Sequence, residues 1–361
     1  MKEMNRNKIE ILGLMSGTSL DGLDIAHVSF DFLSEETTFK LLHNQTFTYP
    51  AELVDKLKNA CTFSVVDFLK LDKELGAYFA QCILQFIEEN GIDKKQLSAI
   101  ASHGHTIFHQ PEQGFTSQIA CGSTIAYRCG IPVINDFRSL DVIAGGQGAP
   151  LVPIGDFHLF KNEAAAFLNL GGFANISFEK SQHIHAFDVS PANLPSNILM
   201  EQLGKLFDEN GATARSGELN QTLLTQLNAL SYYQKMAPKS LGTEWLNAEY
   251  MPLLSNEVKT EDLLRTHTEH IAIQIARVLN DEHLPSVLIT GGGAKNGFLL
   301  ERISAHYPGK CIVPEKNIID FKEALVFAFL GARYLRNEST NVPSVTGAEM
   351  SLCTGVLHLG Q

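Results

Sequence analysis

The chemistry in this chain gathers first in "GLMSGTSLDGLD", Gly13 to Asp24, which lies in the bend between two apolar runs. A tight hairpin needs only two turn residues, commonly Asn-Gly or Asp-Gly. Ser16, Gly17, Thr18, Ser19, Asp21 and Gly22 are six small or polar residues, more than a turn demands. Glycine lets backbone N–H groups approach phosphate oxygens with no Cβ in the way. The hydroxyls of Ser16, Thr18 and Ser19 would add donors to the same oxygens. "LGGFANIS" repeats the device with Gly171 and Gly172, and "TGGGAKN" offers Gly291, Gly292 and Gly293 where a strand meets a helix beginning near Asn296. Neither G-x-x-x-x-G-K-[ST] nor a clean G-x-G-x-x-G occurs, so each loop alone reads equally well as a plain turn. Three of them in one framework point to a nucleotide.

Two further clusters stand out. "SHGHTIFH" places His103, His105 and His109 within seven residues. His-x-His on a strand puts both rings on one face, which zinc accepts, but no acidic or further histidine ligand is identifiable. Hydrogen bonding to substrate or backbone is the favoured reading. "DFRSLD" supplies Asp136, Arg138 and Asp141 at a strand end. The two aspartates read as members of a structural ion-pair cluster, whereas the planar fork of Arg138 suits a substrate carboxylate. Asp21 and Asp24 are read as turn formers, as Mg²⁺-linked groups, or as both.

The elements that must hold these residues recur. The bend joins two strands, and "TTFKLLHNQTFTYP" gives a third, antiparallel one. Residues 51–90 carry helical periodicity in Phe68, Leu71, Leu75, Phe79, Ile83 and Phe86, and Gly91 follows as a stop. "LSAIASHG" reads as a buried strand ending in a loop, and "IPVINDF" as another strand after a short helix. The order restarts with "AAFLNLGGFANISFEKSQHIHAFDVS", which gives three strands. Helices over 196–210 and 261–280 follow, then the buried strand "SVLITGGG". "DFKEALVFAFLGARYL" forms a late buried helix, of which Phe327 and Phe329 read as core. Two β-β-β-α-β units imply a duplication with a cleft between the halves; the period is too long for a solenoid.

Composition narrows the classes. At 361 residues the chain suits two domains, and 44% hydrophobic with 19% charged residues describes an ordinary globular protein. A net charge of −12 speaks against nucleic acid as a partner and leaves an anionic ligand dependent on local donors or a metal ion. The six cysteines form no C-x-x-C pair and suit a reduced compartment. The start of the chain enters a strand rather than an apolar signal region, and "ALVFAFLGA" is about half a membrane span, so a cytoplasmic protein is expected.

The motifs together resemble a family. "GLMSGTSLDGLD", "SHGHTIFH", "DFRSLDVIAGGQGAPLVP", "LNLGGFANIS", "PKSLGTEWLN", "TGGGAKN", "EALVFAFLGARYL" and "VPSVTGAE" follow one another from Gly13 to Gly347 as in the anhydro-N-acetylmuramic acid kinases. The resemblance implies an α/β fold of two ribonuclease-H-like domains, as in actin-like ATPases, each a mixed sheet flanked by helices, with the active site in the interdomain cleft. The expected domains are residues 1–134 with 345–361, and residues 135–344. It further implies a homodimer using ATP and Mg²⁺ to hydrate the anhydro bridge of 1,6-anhydro-N-acetylmuramic acid and phosphorylate O6.

By matching position, Gly17, Thr18, Ser19, Leu20, Asp21, Gly22, Leu23 and Asp24 form the first phosphate loop and Gly171 and Gly172 the second. Gly291, Gly292, Gly293 and Asn296 lie on the adenosine side. Asp188 is the catalytic base, and Glu323 touches the sugar, although it could also cap its helix. Ser16, His105 and Arg138 complete the expected sugar set. No protein side chain is assigned as a direct metal ligand; Mg²⁺ would come with the ATP phosphates, near Asp21 or Asp24.

The chain departs from the family pattern in two places. His105 stands where a glutamine is usual. "AFDVSPAN" replaces G-F-D-T-G-P-G-N, so Val189, Ser190 and Ala192 supplant a threonine and two glycines beside the base. Pro191 is expected early in a helix that offers N–H donors near Asp188. The altered loop leaves two other readings in view, a kinase of another 1,6-anhydro sugar such as levoglucosan and a catalytically degenerate ATP-binding paralogue.

Overall fold

The computed structural model describes residues 7–17, 19–34, 36–254 and 258–360. The chain divides into two compact units, Met1–Phe160 with Phe321–Gln361, and Lys161–Asp320. These breaks fall later than the expected 134/135 and earlier than the expected 344/345. The reason lies in buried polar contacts within the first unit. Asp141 accepts from Asn341 Nδ2 at 2.7 Å and from Thr346 Oγ1 at 2.8 Å, and Asp156 pairs with Lys322 at 2.5 Å. Removing either partner of such a buried set would leave an unpaired polar group, so the segments stay together.

In the first unit the strands are β1 (Lys8–Ser16), β2 (Leu23–Asp31), β3 (Thr38–Phe47), β4 (Leu97–Gln110), β5 (Phe115–Ile119) and β6 (Val133–Asn135). β1 pairs antiparallel with β2 and parallel with β4, β2 pairs antiparallel with β3, and β4 pairs parallel with β6. The order is therefore β3-β2-β1-β4-β6, with the strand Val356–His358 added beside β6. β1 is central because both of its faces are apolar: Ile9, Ile11, Leu12 and Leu14 are all fully buried. On one face, Leu12 and Leu14 share a core with Leu71, Leu75, Phe79, Ile83 and Phe86 of the helix Val65–Glu89. On the other, the helix Lys316–Arg336 presses its backbone against Gly13.

The second unit repeats the plan with β7 (Ala166–Leu170), β8 (Phe173–Lys180), β9 (His183–Pro191), β10 (Ser286–Thr290) and β11 (Lys310–Ile312). β7–β8 and β8–β9 are antiparallel, and β7–β10 and β10–β11 are parallel. The order β9-β8-β7-β10-β11 is that of the first sheet, strand for strand. Both units have the ribonuclease-H-like topology, and the duplicated α/β fold is as expected.

Three elements differ from the sequence reading. The 51–90 segment is two helices, Ala51–Asn59 and Val65–Glu89, because Ser64 caps the second. Its hydroxyl accepts from the Asp67 N–H at 3.2 Å and donates to the Asp67 carboxylate at 2.7 Å. The helix expected over 196–210 is Asn193–Glu201. β4 does not end at "SHG". Gly104 takes φ +75° as a kink in the strand, and the chain continues to pair with β5.

Candidate active site

In the first unit a cavity of about 340 Å³ is lined by Met15, Ser16, Gly17, Ser19, His103, Thr106, Arg138 and Glu323. The first four come from the end of β1 and the bend after it, and His103 and Thr106 from the kinked β4. Arg138 follows β6, and Glu323 lies on the helix Lys316–Arg336. Five of the lining residues, Ser16, Gly17, Ser19, His103 and Arg138, stand out in the sequence by their chemistry, and Glu323 by resemblance. Glu323 sits two turns inside its helix, so it is not a cap.

Arg138 is fixed before any ligand arrives. Its Nε donates to His103 Nε2 at 3.0 Å and its Nη1 to the Gly148 carbonyl at 2.6 Å. An imidazole nitrogen that accepts from a guanidinium must be unprotonated, so His103 is neutral and gives its Nδ1–H to the Gly104 carbonyl at 3.0 Å. Burial and the Arg138 charge hold its pKa well below the usual histidine value. Burial also lowers Arg138, to about 10, against the opposing pull of Glu323 and Asp141. The Glu323 carboxyl opens into the cavity, where solvent reaches it. The surrounding protein nevertheless raises its pKa, with Arg138 and Lys322 working against that shift.

Ser16 is spent internally. Tyr49 donates to its hydroxyl at 2.6 Å, and Ser16 Oγ meets His105 Nδ1 at 2.8 Å, which leaves Ser16 as the donor to the ring. His105 thus stands behind the cavity wall and orders Ser16 rather than lining the cavity itself. Tyr49 went unread because its only sequence signal was "TYP" at the end of the third strand. Of the histidines read as bonding substrate or backbone, His103 meets backbone, whereas His105 meets the Ser16 hydroxyl and His109 Nδ1 meets Thr116 Oγ1 at 3.1 Å. Among the described residues no three His, Cys, Asp or Glu side chains are grouped to hold a metal ion.

Around the bend, Leu20 adopts φ +59° and its N–H closes a turn on the Gly17 carbonyl at 3.3 Å. Ser19 Oγ donates to Asp21 Oδ1 at 2.8 Å, and Asp21 is exposed. Gly22 and Leu23 are buried. Asp24 accepts from Thr46 Oγ1 at 2.5 Å. Thr18 lies outside the described residues. Asp136 accepts from the Ser139 N–H at 3.1 Å, and Asp141 holds Gly148 N at 2.8 Å besides its partners near the chain's end. Both aspartates are thus held by neutral donors rather than in the ion-pair cluster read from the sequence.

In the second unit, Gly171 and Gly172 form the β7–β8 bend. Their carbonyls accept from the N–H groups of Ala192, Asn193 and Leu194 at 2.9–3.2 Å. The helix after Asp188 starts at Asn193, and Pro191 ends β9 rather than opening the helix. Its first N–H groups are therefore occupied by the glycine bend, contrary to the donor role expected of them. Ser190 and Ala192 both lie at negative φ, with Ala192 at −129°, so neither position sits in the left-handed region that favours glycine. Gly291 takes φ +81° after β10, Gly292 is exposed, and Asn296 caps the helix Gly297–His306 by accepting from Leu299 N at 3.0 Å.

Asp188 lies opposite Asn175 in β9. Its Oδ2 accepts from the Leu241 N–H at 2.8 Å, its N–H donates to the Lys239 carbonyl at 3.2 Å, and its carbonyl accepts from the Tyr232 hydroxyl at 2.6 Å. Burial raises its pKa, partly offset by the Leu241 hydrogen bond. "PKSLGTEWLN" carried no assigned role in the sequence; it supplies this contact.

A duplicated ribonuclease-H-like fold with a glycine-rich bend after the first strand of each unit, and a polar cavity on one of those bends, suits an α/β phosphotransferase. The family model for anhydro-N-acetylmuramic acid kinase matches residues 9–359. The chain belongs to this family. It is 35% identical over 364 residues to the anhydro-N-acetylmuramic acid kinase of Vibrio parahaemolyticus, covering 96% of this chain and 97% of the relative. The Shewanella denitrificans kinase of the same name is 36% identical over 361 residues, covering 95% and 96%. Among solved structures, (R)-2-hydroxyglutaryl-CoA dehydratase component A of Acidaminococcus fermentans matches with a TM-score of 0.46 at 12% identity, covering 90% of this chain and 99% of that one.

Proposed function

We propose that the protein is an ATP-dependent kinase that adds water across the 1,6-anhydro bridge of 1,6-anhydro-N-acetylmuramic acid and phosphorylates O6. The products are N-acetylmuramic acid 6-phosphate and ADP. Membership of the family along nearly the whole chain carries the reading. The cavity supplies suitable chemistry: a preset guanidinium, a carboxyl and hydroxyl groups around a space fit for a sugar. Arg138 spends Nε and Nη1 within the protein and offers Nη2 to the lactyl carboxylate. Glu323 receives a sugar hydroxyl.

Water attacks the anomeric carbon and Asp188 takes its proton. Burial raises the Asp188 carboxyl pKa, which makes its carboxylate a stronger base. The released O6 attacks the γ-phosphoryl group of ATP, whose charge falls to the N–H groups of the 17–24 and 171–172 bends, with Gly291–Gly293 and Asn296 on the nucleoside side. Mg²⁺ fits this donor set, because it binds through substrate phosphates, water and one or two carboxylates. Asp21, exposed in the bend, and Asp24 offer those oxygens. Bound there, the ion would neutralise phosphate charge.

We read the protein as a cytoplasmic homodimer. The dimer follows from the family resemblance, and the compartment is supported by six cysteines that are all unpaired. Among the described residues no helix is long and apolar enough to cross a membrane.

The test is turnover of a panel of 1,6-anhydro sugars with MgATP in H₂¹⁸O. The muramic sugar should yield ADP and a 6-phosphate carrying one ¹⁸O at C1. Preferential turnover of levoglucosan would replace the substrate, and ATP binding without turnover of any sugar would overturn the kinase reading.

A further inference from the structure

The segment from Asp188 to Ala192 lacks the family's glycines yet is held at both ends by buried side chains. The Tyr232 hydroxyl reaches the Asp188 carbonyl at 2.6 Å. At the other end, His267 Nε2 lies 2.9 Å from the Ala192 carbonyl, which only accepts, so this nitrogen carries the proton and Nδ1 accepts from the Tyr250 hydroxyl at 2.6 Å. We propose that Tyr232 is a positioning residue for Asp188, an inference that rests on the reading of Asp188 as the base.

Tyr232 has one place to be. Its ring is 2% exposed, lies 5.3 Å from the Trp245 ring and has the Lys239 ammonium 4.7 Å from its centre. The neighbouring Tyr233 hydroxyl meets His270 Nε2 at 2.7 Å. His270 Nδ1 lies 2.7 Å from Asn228 Oδ1, an oxygen that also accepts from Gln274. Asn228 Oδ1 can only accept, so the His270 tautomer is fixed and Tyr233 must donate. The segment 232–241 then returns to Asp188 twice more, through the Lys239 carbonyl and the Leu241 N–H. Among the described residues the carboxylate has one protein donor, the Leu241 N–H, so its direction depends on where the backbone of residue 188 is held. The Tyr232 hydroxyl sets the plane of the peptide that leaves Asp188, and with it the aim of the side chain.

Tyr232→Phe keeps the ring and deletes this contact. Its kcat should fall by about 10–100-fold, the cost of a misplaced catalytic group. KM for ATP and for sugar should stay within about twofold, because uniform binding is untouched. The acidic limb of the kcat profile should move to lower pH, since a carboxylate released from its buried position loses its raised pKa. Asp188→Asn is measured alongside. If Asp188→Asn is inactive while Tyr232→Phe keeps wild-type kcat and an unmoved limb, the positioning role is wrong and the base stands. Parallel losses in kcat, KM and thermal midpoint for Tyr232→Phe would make the hydroxyl merely structural and also overturn the proposal. Near-normal turnover by Asp188→Asn would remove the base reading and the positioning role with it.

Discussion

At the residue scale, Arg138 shows how a charged side chain is held in one orientation by its own protein. Two of its donors go to a neutral histidine and a backbone carbonyl, and burial weakens its hold on its own proton. Lysine keeps the charge but has no planar fork. Arg138→Lys should therefore raise the sugar KM by about 10-fold or more, the worth of a hydrogen bond to a charged group, and leave the KM for ATP near wild type. Steady-state kinetics with each substrate varied in turn checks this. An equal rise in both constants would place Arg138 outside the sugar site.

At the scale of elements, the position of Glu323 depends on how closely the helix Lys316–Arg336 lies on β1. A Cβ at Gly13 would collide with the Ala324 carbonyl and sit 2.7 Å from Ala328 N and 2.8 Å from its Cβ. Backbone atoms cannot turn aside as a flexible side chain can, so the helix must move. Gly13→Ala should destabilise the protein by about 1–3 kcal/mol, the usual cost of overpacking, and raise the sugar KM as Glu323 is displaced. Denaturant unfolding and kinetics on one preparation test both; unchanged stability would mean that the packing is looser than described.

For the whole molecule, buried neutral histidines tie stability to pH. His267 is held at about 4, against an ordinary value of 6.5, and burial keeps His103 and His270 well below that value. A depressed histidine pKa means that the unfolded chain binds a proton the native one refuses. Stability is thus complete above about pH 6.5 and falls as pH drops toward 4. Each such ring contributes about 1.4 kcal/mol per pH unit within that window. Urea midpoints between pH 7 and pH 4.5 should show this slope, and His267→Gln should remove one proton's share of it. A profile flat over that range would contradict the buried neutral assignment.

The duplicated fold was legible because strand alternation and glycine bends are local signals, repeated in both halves. The bends themselves, Asp188 and Glu323 were legible as motifs. The sequence alone determined the topology class, the family and which short segments carry chemistry, since each depends on residues close together in the chain. Only the tertiary structure decided the partners. Tyr49 meets Ser16, Tyr232 meets Asp188, and Asn341 meets Asp141 across 33, 44 and 200 positions. It also moved Pro191 from the helix into β9 and carried β4 past Gly104, because pairing with a distant strand outweighed the local turn signal. Buried polar groups take whichever donor the packing brings near, and no spacing along the chain records that choice.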